Sequence, residues 1–225
     1  MTRSKMRFGL LAGTPLAGAS MALGQVVPAP GPEPVSKLIA VLKSDAPQKE
    51  KADACRQLGV VGTKDAVPAL AALLPDEKLS HMARYGLEPN PDPSVDDALR
   101  DALGKLKGRP LVGVIASVGV RRDAKAVEAL SRFLEESDPD LVRTTARSLG
   151  KIATPEAAKA LQRRMAGAPA PLRRFVADGC LTCAERLLAL GKKADAAAMY
   201  ESVERAELSD DYIRAAAKHG ATLTR

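Results

Sequence analysis

Aromatic residues make up only 3% of the 225-residue chain, and tryptophan is missing. Single-stranded nucleic acid is commonly held by stacking bases on aromatic rings, so this composition argues against such a platform. Histidine occurs twice, at His81 and His219, which argues against a histidine-rich metal site. Three cysteines, Cys55, Cys180 and Cys183, are too few for a disulfide framework. The chain has no glycine-rich phosphate loop, no G-x-S-x-G nucleophile turn and no zinc-protease pattern. Beyond residue 24 no apolar run is long enough to span a bilayer. What the chain does have is 46% hydrophobic residues, enough for a real core and too many for a disordered chain.

Residues 1–24 read as a secretory signal. Arg3, Lys5 and Arg7 give a positive start, and an apolar, small-residue stretch runs from Phe8 to Leu23. Ala22 and Gly24 place small residues three and one before a cut at Gln25, as signal peptidase requires. No cysteine follows the apolar region, so a lipoprotein anchor is not indicated. Residues 25–34 hold four prolines and read as an extended linker. The formal net charge of +7 falls to +4 once the three basic residues of the signal are removed. That is too weak a bias to imply a nucleic-acid partner.

The rest of the chain carries helical spacing broken by Gly, Pro and Asp, with almost no strand signal. It repeats. Leu70, Leu99, Leu130 and Leu161 are spaced by 29, 31 and 31 residues. A second column, Leu58, Leu87, Val118 and Leu149, has the same spacings. Gly59, Gly119 and Gly150 follow three of the second column and read as helix stops; after Leu87 and Glu88 that task falls to Pro89. Each unit is therefore a pair of antiparallel helices that cannot bury its apolar faces alone. Stacked pairs give an all-α solenoid of about six hairpins, at 35–60, 66–87, 94–118, 124–152, 155–190 and 193–223.

The segments DPDLVRTTARSLGKIATPEAAKAL, KLSHMARYGLEPNPDPSVDDALRDALGKL and GRPLVGVIASVGVRRDAKAVEAL resemble short HEAT repeats, including those of phycobilisome-lyase-like proteins and of exported bacterial HEAT-repeat proteins. The resemblance covers about residues 36–161, within a HEAT-like region at 35–168. The segment AERLLALGKKADAAAMYESV resembles a tetratricopeptide unit, with Ala184, Ala196 and Tyr200 at its small, small and aromatic packing positions. Residues 169–225 are accordingly expected to form tetratricopeptide-like hairpins, although Cys180 and Cys183 replace other hallmark residues. The resemblance implies a binding array whose second helices line a concave side. It also implies, as an alternative, a tetrapyrrole lyase or chaperone.

Candidate chemistry is sparse. Cys180 and Cys183 form C-L-T-C, read as near a helix start, where a dipole stabilises a thiolate. Both also fall on packing positions, so core packing, a disulfide and a redox or metal role all stay open, with packing first. No histidine follows the pair as c-type haem attachment needs. Cys55 aligns with Arg84, Ile115 and Ala146 and reads as a buried thiol. His81 and His219 have no metal partner or orienting carboxylate at useful spacing. Asp96, Asp97 and Asp101 read as a solvated acidic face rather than a cation site.

One stripe stands out. Nine, six and two residues before the second column lie Lys49, Ala52 and Arg56; Lys78, His81 and Tyr85; Arg109, Val112 and Ala116; Asp140, Arg143 and Arg147. Spacings of three and four place each set on one helix face. The expected function is a non-enzymatic exported scaffold or adaptor without a cofactor or metal. It would bind an acidic protein partner of the bacterial cell envelope through Lys49, Arg56, Lys78, His81, Tyr85, Arg109, Arg143 and Arg147. The bland alternative is a solvated face, with Arg143 in a local ion pair.

Overall fold

The computed structural model describes residues 34–206, 208 and 210–225. The signal-like residues 1–24 and the linker up to residue 33 lie outside the described residues. The described chain contains twelve α-helices and no strand. They are α1 (Val35–Lys43), α2 (Gln48–Val61), α3 (Val67–Ala71), α4 (Ser80–Leu87), α5 (Ser94–Leu103), α6 (Gly108–Arg121), α7 (Val127–Phe133), α8 (Pro139–Ile152), α9 (Pro155–Gly167), α10 (Ala170–Ala189), α11 (Lys193–Glu204) and α12 (Asp211–Thr222). Single 3-10 turns, Lys64–Ala66 and Ala124–Ala126, lead into α3 and α7. The six expected hairpins are all present, with ends shifted by a few residues.

Helix starts follow local chemistry. Asp138 Oδ1 accepts from the amides of Asp140 and Leu141, and Asp210 Oδ1 from those of Tyr212 and Ile213. Thr154 Oγ1 accepts from the Ala157 amide. These side chains satisfy amides that a first helical turn leaves without partners. Pro34, Pro47, Pro93 and Pro169 occupy the cap position of four other helices.

Even-numbered helices pack on one another in chain order from α2 to α12 and form one layer. In the other layer α1 packs on α3, α3 on α5, α7 on α9 and α9 on α11. The core lies between them. Leu70, Leu99, Leu130 and Leu161 are fully buried from the odd side, and Leu58, Leu87, Val118 and Leu149 from the even side. Each such leucine contributes about 1.5–3 kcal/mol by leaving water. Ala184, Ala196 and Tyr200 are likewise buried.

The glycines after the second column have a different role from the one their spacing implied. Gly59, Gly119 and Gly150 lie inside α2, α6 and α8, each two residues before the helix ends. They are contact points. A Cβ on Gly150 would stand 2.6 Å from the Gly179 carbonyl oxygen, and one on Gly119 2.7 Å from Ser148 Cα. The actual stops are Arg122 and Ala153, which adopt left-handed backbone at φ 57° and 52°.

A further small-residue column completes this packing. Gly86, Ser117, Ser148 and Gly179 recur every 31 residues, one before the expected column line. A Cβ on Gly86 would stand 2.8 Å from the Cys55 carbonyl oxygen, and one on Gly179 2.6 Å from that of Ala146. Ser148 Oγ donates to the Ile115 carbonyl at 2.9 Å. Gly179→Ala is therefore expected to cost about 1–3 kcal/mol through overpacking, despite alanine's better helix propensity. Gly104, exposed and with nothing nearer than 3.8 Å to its Cβ position, provides the contrast. Gly104→Ala should stabilise by about 0.4–1 kcal/mol. Urea unfolding of the two variants checks both signs.

Candidate interaction face

The positions of the stripe lie on the solvent side of the even layer. Lys49, Arg56, His81, Tyr85, Arg109, Arg143 and Arg147 project from α2, α4, α6 and α8 and are exposed, Tyr85 to 50%. Lys78 is exposed but precedes α4. It lies in the turn where Asp76 Oδ1 accepts from its amide, because that aspartate folds the chain back before the helix begins.

The charges of the face divide into two groups. Arg56 pairs with Asp53 at 2.9 Å and Arg143 with Asp140 at 2.7 Å, each within one helical turn. Arg147 reaches across to Asp178 on α10 at 2.8 Å. Exposed pairs of this kind contribute little stability, typically about 0.2–1 kcal/mol. Lys49, Lys78 and Arg109 have no carboxylate partner among the described residues.

A second row on the same face was not legible as a binding feature. Two residues beyond the second column stand Val60, Pro89 and Val120, one helical turn from Arg56, Tyr85 and Ala116. Val60 is 82% exposed and Val120 48%. The signal was the identical repeat position of these residues, which carries meaning only once the helix face is known to be solvent-exposed.

Behind the face, between α4 and α6, a polar knot replaces the small-residue contact. Arg84 occupies the position held by Cys55, Ile115 and Ala146, and Glu88 the position held by Gly59, Gly119 and Gly150. Ser117 Oγ donates to Glu88 Oε1 at 2.6 Å and accepts from the Arg84 guanidinium at 3.4 Å. Burial pulls the Arg84 guanidinium below its ordinary range, against the attraction of Glu88 at 4.0 Å. Gly113 makes room: a Cβ there would lie 2.6 Å from Arg84 Nε. Arg121 closes the knot, donating to the Glu88 and Asn90 carbonyls at 3.0 and 2.6 Å and pairing with Asp96 at 2.5 Å. Asp97 pairs with Arg100 and Asp101 with Lys105. The three aspartates are thus each neutralised by a cation, and Asp96 is half-buried rather than a member of a solvated face.

The cysteines are free and buried. Cys180 and Cys183 lie in the second half of α10, not near its start, so no helix N-terminus favours their thiolates. Burial pushes both thiols up to about 12, and Cys55 to about 11. Residues three apart on a helix hold their Cβ atoms about 5–6 Å apart, beyond disulfide reach. Among the described residues no group of His, Cys, Asp or Glu is placed to hold a metal ion. No described helix is long and apolar enough to cross a membrane.

Residues 86–181 match the HEAT repeats family. No curated protein matches the chain. Among solved structures it is similar to an engineered protein (18% identity, TM-score 0.49, covering 84% of this chain and 96% of that one). It is also similar to the complex of CpcE and CpcF of phycocyanin lyase from Nostoc sp. PCC7120 (22%, 0.44, covering 85% and 82%). A third is a designed armadillo repeat protein in complex with the peptide (KR)4 (14%, 0.49, covering 86% and 100%).

The thiol geometry has a direct test. The native protein is expected to leave all three cysteines unmodified by a thiolate-selective reagent at pH 8, and the unfolded chain to expose all three. The raised values also carry a pH sign. The unfolded thiols ionise from about pH 9 while the folded ones stay protonated, so their contribution to stability is complete below pH 9 and falls as the pH rises toward 12. Thiol titration and unfolding free energy across that range check both statements.

Proposed function

With HEAT repeats over residues 86–181 as the premise, we propose that the chain is a non-enzymatic scaffold or adaptor that binds a protein partner through the solvent face of its even layer. The observation that carries this reading is the row Lys49, Lys78 and Arg109, exposed and without carboxylate partners, alongside the half-exposed Tyr85. Unpaired cations attract an acidic partner from a distance and raise its association rate. Tyrosine and arginine are the residue types that often dominate binding once contact is made. The signal-like residues 1–24 support export, which makes a bacterial cell-envelope protein the proposed partner. The redox alternative has little support, because its two thiols are buried and held protonated.

The test is affinity capture from a cell-envelope extract, read by mass spectrometry beside the triple variant Lys49→Glu, Tyr85→Ala, Arg109→Glu. All three positions are exposed, so helix content measured by circular dichroism should not change. Partner recovery is expected to fall at least tenfold in the variant and to weaken with added salt. Recovery of the same partners in full by the variant would sink the proposal.

A further inference from the structure

Exposed large apolar side chains are confined to two places among the described residues. Leu190, Tyr212 and Leu223 lie at the C-terminal end, while Val60, Tyr85 and Val120 lie on α2, α4 and α6 of the even layer. The second group faces the cations. Lys49 and Val60 are eleven residues apart at opposite ends of α2, as are Arg109 and Val120 on α6. At helical rise this separates a basic wall from an apolar wall by about 16 Å. Between them lie the small or half-buried Ala52, Val112 and Ala116, so the floor is low. His81 is the one exposed side chain of that middle row on α2, α4 and α6.

We propose that this channel takes an amphipathic helix of the partner, laid across α2, α4 and α6, with its apolar stripe on Val60, Tyr85 and Val120 and a flank of spaced carboxylates toward Lys49, Lys78 and Arg109. The inference rests on the scaffold reading above and names the form of the partner. Width selects the helix. With its side chains a helix is about 10–12 Å across, and lysine and arginine reach covers the remainder. An extended segment occupies about 5 Å, the spacing of paired strands, and would touch one wall only. Spacing selects the pattern. Neighbouring packed helices are about 8–10 Å apart, equivalent to about six residues of a crossing helix, so its carboxylates recur about once per heptad. Glu50 and Glu77 interleave with Lys49 and Lys78. They disfavour a continuous polyanion and leave spaced acids as the matching chemistry.

The probes are three labelled synthetic peptides of about three heptads. The first is a helix with a leucine stripe and one glutamate per heptad on its flank. The second moves the glutamates to the face opposite the leucines. The third is the first with two central prolines. Fluorescence anisotropy with the full chain should show the first binding at least tenfold tighter than the other two. Val120→Asp and Arg109→Glu, both at exposed positions, should each weaken it by about tenfold. Equal binding of the three, or binding indifferent to both substitutions, overturns the proposal. Tightest binding by the proline peptide, lost with Val120→Asp, overturns the helix while upholding the face as a docking site. No peptide binding overturns the helix as well, and capture by the triple variant then decides separately whether the scaffold reading stands.

Discussion

The closeness with which consecutive even helices approach one another governs the rest of the fold. Gly86, Ser117, Ser148 and Gly179 recur every 31 residues and present little or no side chain to the preceding helix. At Gly86 and Gly179 no Cβ fits without a shift, because the carbonyl oxygens of Cys55 and Ala146 are in the way. At Ser148 the hydroxyl uses the same approach to donate to the Ile115 carbonyl. The contact fixes register as well as distance, since a shift of one residue along the helix would bring a larger neighbour against the backbone. Parallel helices in fixed register align each repeat position with its equivalents. The leucine columns then meet in one continuous core, and the outer positions form rows.

The α4–α6 joint follows this rule with different chemistry. Ser117 is still the small residue, but it faces Arg84 and Glu88 rather than an apolar side chain and a glycine. A buried guanidinium loses hydration and regains it only partly through hydrogen bonds. Arg84 Nε has no partner among the described residues. Gly113, Ser117, Glu88 and Arg121 limit the cost by space, hydrogen bonds and charge. The same arginine approaches His81 Nδ1 at 3.5 Å, which links this interior knot to the outer face at the repeat that also carries Tyr85. This joint depends on polar geometry where α8 and α10 depend on close backbone contact, so it is the place where the array has most to lose from a change of charge.

The solenoid was legible because burial imposes a period. Eight column residues read from spacing alone are all buried, and the hairpin limits follow from proline, glycine and aspartate. The glycines were visible but misassigned, since a glycine two residues from a helix end looks the same as one beyond it until the neighbouring helix is in place. The same limit applied to Cys180 and Cys183, whose place in the second half of a 20-residue helix depends on where α10 starts. Lys78 fell outside its helix because Asp76 forms a turn that a repeat average does not reveal. Arg84 was aligned with buried positions without its consequence being drawn, because partners 29–33 residues away supply its setting.

The outer face carries the converse logic. Core positions are held to similar residues by the stack, whereas two residues before the second column the chain reads Arg56, Tyr85, Ala116 and Arg147. Nothing in the packing requires that variety, since all four project from equivalent places on parallel helices. Burial cannot account for Val60 at 82% exposure, nor stability for three cations left without carboxylates. Exposed valine next to water gains nothing in the free protein and gains most when an apolar surface covers it. A scaffold whose repeats are alike inside and different outside concentrates its specificity on that surface. The row running from α2 to α6 is where apolar exposure and unpaired positive charge coincide.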